Sequence, residues 1–220
     1  MIPEYHKLLM QNAIGAYFGD QELSEVIAGN MGQDGIAGQN GHPEYHFDDS
    51  EFERSFVYLT KVRSNVIQYV KSGSNYCEAR ADFGRYTHGH QDYYAHSNYV
   101  RLWAQKYQVK PETWSGELDF KDEEILSSPE LISGHFYSPW EMITLIPTIG
   151  RLFIPLFPKG SHAYLNIDSP YKNAWFPLAL KAAELRTRYE IQQISIELYQ
   201  ENPDHLYKFL GKIINPFNGV

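Results

Sequence analysis

Three side chains near the middle of the chain have the types and the spacing of a metal site. They are His88, Asp92 and His96, in the segment His88–Asn98. If this segment is helical, steps of four residues turn only about 40° around the axis, so all three project from one face. Histidine and carboxylate side chains grouped in this way have the geometry of metal ligands. His90 points to the opposite side. The alternative is a solvated polar face, or buried histidines bonded to carbonyl groups.

A second cluster of candidates precedes the first long helix. Asp34 lies between glycines, where it is either a ligand or a turn residue. Asp48, followed by Asp49 and Ser50, is either a ligand or part of a helix cap. His46 has neither structural explanation, so we count it among the ligands.

A third cluster lies late in the chain, where His162 is followed by Asn166 and Asp168. Asp168 precedes Ser-Pro, which is equally typical of a turn and of a helix start. His135 has no partner at ligand spacing, and His6 taken alone could be an ordinary surface histidine. The spacing leaves the roles of these residues open.

Composition limits the chemistry that these residues could support. Among 220 residues there are nine histidines but one cysteine, Cys77, which excludes an intramolecular disulfide and a zinc site built on paired thiolates. A metal here would need histidine and carboxylate ligands. The 19 Lys and Arg against 27 Asp and Glu give a net charge of −8, which argues against bulk electrostatic binding of nucleic acid.

The chain also lacks the segments that direct proteins to membranes. Its first residues have neither the basic nor the apolar region of a secretion signal, and no run of 18 apolar residues could span a bilayer. We therefore expect no transmembrane span, and a protein that is cytoplasmic or exported by another route.

The elements that must position the candidates can be predicted from apolar spacing. It predicts helices over about 8–14, 23–27, 50–71 and 76–106. Ser50 and Glu53 form a capping box at the start of the third helix. Before it, residues 30–49 form a loop of about twenty residues with glycines at 32, 35, 38 and 41.

The second half of the chain begins irregularly and ends in helices. Seven of the twelve prolines lie between 111 and 170, which breaks that region into short pieces. Apolar residues from Ala174 to Ile196 predict a helix, and Asn202-Pro203 begins a last short one. We expect an all-α fold, a single multi-helix domain over 1–220 with an irregular, proline-rich insertion at about 109–170.

The most apolar stretch of the chain, 143–157, belongs to this insertion. Pro147, Pro155 and Arg151 interrupt it, so it is no transmembrane helix. It either packs over the core, or it forms a lipid-facing cover or an apolar groove for acyl chains.

The His88–Asn98 string resembles the signature of the Het-C-type proteins. These are grouped with the bacterial zinc-dependent phospholipases C and the single-strand-specific zinc nucleases, a largely helical superfamily. The order of the other candidates is similar too: His6, Asp34, a His46–Asp48 element, the helix motif and a late His162. The resemblance touches residues 4–170 and implies the phospholipase C fold.

This resemblance implies two or three zinc ions. His46, His88, Asp92 and Asp34 would surround the first, Asp92 would bridge to another held by His6, and His96 and His162 would take the remaining one. Asn166 stands where the phospholipases have a glutamate. Asp34 would also orient the attacking water as the catalytic base.

The implied function is a zinc-dependent phosphodiester hydrolase, most similar to phospholipase C, acting on a phosphodiester or phospholipid with peripheral membrane contact. The alternative is a non-catalytic, zinc-stabilised Het-C-like module for protein or membrane interaction. A nuclease is a third interpretation, which the net charge of −8 disfavours. An open coordination position on the metal distinguishes an enzyme from a module.

Overall fold

The computed structural model describes residues 1–35, 42–137, 139–146 and 149–217, without the side chains of Leu145 and Arg151. Within these ranges the fold is all-α, as predicted, with two isolated β-bridges and no strand. The helices are α1 (Pro3–Ile14), α2 (Asp20–Met31), α3 (Pro43–His46), α4 (Phe52–Lys71), α5 (Tyr76–His96), α6 (Tyr99–Lys106), α7 (Glu123–Leu126), α8 (His162–Leu165), α9 (Phe176–Glu201) and α10 (Pro203–Leu210). Short 3₁₀ turns cover Gly32–Asp34, Pro111–Thr113, Trp140–Leu145, Gly150–Leu152 and Ile154–Leu156.

Helix α5 is the centre of the molecule. Its residues are buried almost without interruption from Ala79 to His96, because α2, α4 and α9 pack around it. Two glycines allow the closest of these contacts. A Cβ on Gly84 would lie 2.2 Å from the Val26 carbonyl oxygen, and one on Gly29 would lie 2.3 Å from that of Ala81. The backbones of α2 and α5 therefore touch directly.

The predicted helix over 76–106 is two helices, separated at Ser97 and Asn98. Ser97 is extended, with φ −95° and ψ 167°, and pairs with Ser133 in an antiparallel bridge. The Asn98 N–H donates to the Ile132 carbonyl, and the Asn98 Oδ1 accepts from the Ile132 N–H. Serine and asparagine offer such bonds in competition with the helix, and the chain turns where the insertion supplies partners.

The predicted capping box at Ser50 is wrong for the same reason. Ser50 has φ 55°, and its N–H and hydroxyl bond to Ser133, so α4 begins at Phe52 without a side-chain cap. The predicted loop over 30–49 is also more ordered at its ends, because α2 continues to Met31 and α3 forms at Pro43. Gly38 and Gly41 lie outside the described residues.

The proline-rich insertion folds into short turns, as expected. We call residues 139–157 the cap; Pro147 lies outside the described residues. Its turns pack on one another and on α8. None of the described apolar side chains between 132 and 165 belongs to the main hydrophobic core. Among the described helices, none combines the length and the hydropathy of a transmembrane segment.

Candidate metal centre

The fold brings the predicted site residues together in one place. His6 comes from α1, Asp34 from the turn after α2, His46 from the end of α3, and His162 from the start of α8. The remaining three, His88, Asp92 and His96, are on α5 and face the same side. The predicted helical face of α5 is therefore the floor of the site.

One group of ligand atoms is formed by His6, Asp34, His88 and Asp92, all within 4.8 Å of one another. The Asp92 carboxylate is central to it. His6 Nε2 lies 3.2 Å from Asp92 Oδ1, and His88 Nε2 lies 2.9 Å from Asp92 Oδ2. Asp34 is farther out, 4.0 Å from His6 and 3.8 Å from His88. We call these four residues group 1.

A second group consists of Asp48, His96 and His162. Asp48 Oδ1 lies 3.2 Å from His96 Nδ1 and 3.1 Å from His162 Nδ1. On the other side of the ring, His96 Nε2 lies 3.3 Å from Asp168 Oδ1. A cavity of about 260 Å³, lined in part by Phe136, opens onto these residues. We call Asp48, His96 and His162 group 2.

His46 lies between the two groups. Its Nδ1 is 2.9 Å from Asp92 Oδ2 and 3.2 Å from His88 Nε2. The Met1 amine also reaches this point, 2.6 Å from Asp92 Oδ1 and 3.2 Å from Asp168 Oδ1.

Buried hydrogen bonds orient the histidine rings from behind. The Nδ1 of His6 donates a hydrogen bond to Gln91 Oε1 at 2.6 Å, and its Nε2 faces Asp92. Gln91 in turn accepts from Asn30 and donates to Thr187. The His96 Nδ1 also lies 3.0 Å from the His46 carbonyl oxygen. Such outer partners set the tautomer and orientation of metal-binding histidines.

The backbone around Asp48 is strained. Phe47, Asp49 and Ser50 have φ values of 56°, 59° and 55°, a region that residues other than glycine rarely adopt. Phe47 is fully buried, with its ring edge-on to Tyr93. Such conformations persist where the surrounding structure holds them and are common at functional sites. The Asp48 carboxylate between them lies next to His96 and His162.

Protons balance the buried carboxylates in the metal-free protein. Burial opposes ionisation of Asp92, but the Met1 amine and the nearby histidines hold its pKa well below the usual range. Against the effect of burial, Asp92 and Asp48 raise the pKa of His96 well above its ordinary value. Burial lowers the pKa of His88 to about 3, so this ring is neutral and has a free lone pair.

The donor set fits zinc. Zinc bonds of about 2.0–2.2 Å place tetrahedral ligand atoms about 3.3–3.6 Å apart, close to the spacings between 2.9 and 4.0 Å in group 1. His6 Nε2, Asp34 Oδ2 and His46 Nε2 are buried and make no hydrogen bond to described residues. The His6 Nε2 makes no hydrogen bond even though Asp92 Oδ1 lies 3.2 Å from it. A cation would satisfy such atoms, which otherwise cost free energy.

The sequence left the roles of two acidic residues at the site open. Asp48 is a member of group 2 instead of a cap, and Asp168 contacts His96 instead of serving only as a turn residue. No local spacing indicates this, because both depend on distant segments. Asn166, two positions before Asp168, is also buried, and its Oδ1 makes no hydrogen bond to the described residues. His135 pairs with Asp49 at 2.7 Å.

His90 is separate from the site, as predicted. It is buried on the opposite side of α5, where its ring lies edge-on to Tyr86 and near Arg186 and Glu190. Burial and the Arg186 charge lower its pKa well below the usual value, so it is neutral.

Comparison with known proteins corrects the resemblance drawn from the His88–Asn98 string. The model of the VWA7 N-terminal domain matches residues 9–118. The von Willebrand factor A domain-containing protein 7 of Rattus norvegicus is 29% identical over 103 residues, which cover 43% of this chain and 11% of that protein. The chain thus spans a small part of the length of this relative. No solved structure matches the chain.

The Het-C and zinc phospholipase C or nuclease assignment was therefore wrong, and so was the phosphodiester hydrolase function that rested on it, with Asp34 as catalytic base. The Het-C-like module given as the alternative has no support either. A histidine-aspartate helix motif specifies a cluster of ligands and carries no reaction with it. The matched segment contains five of the seven predicted ligands and half of the chain's residues, and the chain belongs to the VWA7 N-terminal domain family.

Proposed function

We propose that this chain is a zinc-binding helical domain that holds one ion in group 1 and one in group 2. The resemblance suggested up to three ions, whereas two groups of ligand atoms lie close enough together within the described residues. Group 1 would supply His6, Asp34, His88 and Asp92.

The observation that carries the proposal is the concentration of ionisable ligands in a buried place. Four carboxylates and five imidazoles meet at the site, and Asp92 has no exposed side-chain surface. Burying so many carboxylates is costly unless cations accompany them. Two divalent ions would provide that charge and would satisfy the unpaired atoms of His6 and Asp34.

Bound zinc would connect parts of the chain that are far apart in sequence. Group 1 joins α1 and the end of α2 to α5, and group 2 joins the segment after α3 to α5 and α8. A ligand that binds only the folded state stabilises it by mass action. The ions would thus act as cross-links that hold the N-terminal helices and the insertion on the central helix.

Metal analysis of the protein, purified without a metal-binding tag, tests this function. The wild-type chain should contain two zinc ions, and Asp34→Asn and His162→Ala should each contain one, because each removes a ligand from a different group. His90→Ala is the matched control and should keep two. Wild-type protein that binds no zinc at equilibrium would refute the proposal.

We also propose peripheral contact with a membrane as a second function. Trp140, Leu152 and Leu156 in the cap are 78%, 75% and 77% exposed, an arrangement that favours an interface over plain core packing. Vesicle co-sedimentation tests it, and Leu152→Ser with Leu156→Ser should lower the binding about tenfold or more. Phe153 and Phe157 are half-buried and are left unchanged in this variant.

A further inference from the structure

We infer that the cap docks on anionic bilayers and does so only when group 2 holds its metal. The inference rests on the zinc-binding function proposed above, and it adds the class of lipid and the control of the contact. It follows from the outward face of the cap, from its charge and from the way its two ends are held.

The outward face of the cap is apolar over several successive turns. Its exposed side chains are Trp140, Met142, Ile146, Ile149, Leu152 and Leu156. Because the turns pack on one another, these side chains belong to one compact element. Tryptophan and aliphatic side chains displayed together are typical of surfaces that enter the interfacial region of a bilayer.

The charge of this region differs from that of the rest of the chain. Between residues 131 and 160 the sequence has one acidic residue, Glu141, and two basic ones, Arg151 and Lys159. Glu141 has no exposed surface, whereas Lys159 is exposed. The remaining chain carries the excess of acid. An anionic lipid surface therefore meets no exposed acidic side chain in the cap, and the exposed Lys159 lies two positions after the end of the cap.

The cap is held by its two ends, and both ends are parts of the metal site. His135 at the entrance pairs with Ser161 at the exit in a parallel bridge. The His162 N–H donates to the His135 carbonyl at 2.8 Å, and the Asp49 N–H donates to the Gly134 carbonyl at 2.9 Å. The exit thus ends at one ligand of group 2, and the entrance is bonded to the neighbour of another, Asp48.

Glu141 also connects the cap to α8, next to the group 2 ligand His162. Its carboxylate accepts hydrogen bonds from the N–H groups of Ala163 and of Tyr137. Ala163 follows the ligand His162 directly. A buried carboxylate in an apolar element is costly, and here it bonds the first cap turn to α8. With few contacts to the main core, the orientation of the cap depends on these polar bonds.

Metal in group 2 would hold Asp48, His96 and His162 at fixed separation, and with them both ends of the cap. In the metal-free protein only the hydrogen bonds among these residues do so. The outward face is then free to reorient, and its exposed apolar side chains are no longer held in one arrangement toward the bilayer. Lipid contact is therefore controlled by metal.

The test is vesicle co-sedimentation of the full chain with zinc and after chelation, using phosphatidylcholine vesicles and phosphatidylcholine–phosphatidylserine vesicles. Binding should be strongest for zinc-loaded protein on the anionic vesicles and fall about tenfold or more after chelation. The double variant Leu152→Ser, Leu156→Ser should lose binding to a similar degree, because two large apolar side chains leave the interface. His162→Ala should behave as chelated protein in the presence of zinc.

The matched control is the double variant Val57→Ser, Ile213→Ser, which removes exposed apolar side chains outside the cap and should bind like wild type. Equal binding with and without zinc by protein that demonstrably holds zinc refutes the metal control alone. Absence of binding to either vesicle, with zinc present, refutes the lipid partner. If self-association of the wild type falls instead in the cap variant, a second copy is the occupant and the inference is wrong. Failure to hold zinc refutes the proposed function and the metal control together.

Discussion

Replacing His88 or Asp92 by alanine tests the centre at its most buried point. Both side chains have no exposed surface, and each belongs to group 1. We expect either change to lower the zinc content by one ion and to remove about 2–4 kcal/mol of metal-dependent stability at saturating zinc. Metal analysis and chemical denaturation with and without chelator measure both quantities.

The control for this pair is His90→Ala, on the same helix and equally buried. It should destabilise the protein through lost packing against Tyr86, but the added stability on zinc binding should be unchanged. If His88→Ala and His90→Ala lose the same amount and neither loses zinc, group 1 is not a metal site.

Gln91 allows a test of the bonds behind the ligands. Gln91→Leu keeps the volume but removes the acceptor for His6, whose ring could then rotate or change tautomer. Loss of such an outer partner weakens metal binding about 10- to 100-fold. Competition with a chromophoric chelator should show one weakened ion and one unchanged ion. Two ions of unchanged affinity would show that Gln91 has only a packing role.

For single residues, the sequence predicted those positions that depend only on local helix geometry. The face of His88, Asp92 and His96 follows from the helix repeat alone, and the structure contains it. Asp48 and Asp168 could not be assigned, because turn, cap and ligand use the same residue type and the choice depends on segments that fold against them. Ser50 shows the same limit, since its partner Ser133 is 83 positions away.

At the scale of elements, the contact between α2 and α5 depends on the absence of a side chain. Gly84→Ala places a Cβ 2.2 Å from the Val26 carbonyl oxygen and 2.5 Å from the Asn30 nitrogen, so the helices must separate. We expect a loss of about 1–3 kcal/mol in the free energy of unfolding. Urea denaturation measures it. Gly32→Ala is the control, since nothing lies within 4 Å of the added Cβ, and it should cost nothing.

Most helices could be predicted from their apolar spacing, but their ends could not. The break at Ser97 follows from bonds to residues 132 and 133, which the insertion brings to the end of α5. The cap shows a further limit. Its apolar residues and prolines predicted an irregular element. They could not predict which side chains of a 3₁₀ turn face the solvent, and in the structure Trp140 and Leu156 do so.

At the scale of the whole molecule, a rise of pH above 6.5 should lower the stability of the metal-free protein, and bound zinc should offset that loss. The raised pKa of His96 means that the folded metal-free protein binds a proton above pH 6.5 that the unfolded chain does not, so stability falls as pH rises from there. The lowered pKa of His88, about 3, has the reverse effect, and stability rises with pH between 3 and 6.5. The metal-free protein should thus be most stable near pH 6.5.

Zinc should reverse the decline on the alkaline side. Metal binding requires deprotonated ligands, so the zinc affinity of group 2 increases with pH through the titration of His96, whose pKa is raised. Thermal unfolding across pH 5–9, with and without zinc, should therefore give two curves that diverge above pH 6.5. Parallel curves would show that zinc, if bound, does not replace this proton.

The packing of α1 on α9 has a consequence for how the chain is made. Ile14 precedes Phe176 by 162 positions, and the contacts of His6 with residues 34, 88 and 92 are also distant in sequence. During synthesis α1 leaves the ribosome long before α9 exists, and it must wait with its apolar face unprotected. Closing such long loops is slow, which exposes the nascent chain to aggregation and to chaperones. If each group holds one ion as proposed, zinc supplied before α5 is complete would find no site, and a chain stalled between α5 and α8 would contain group 1 but lack His162 of group 2.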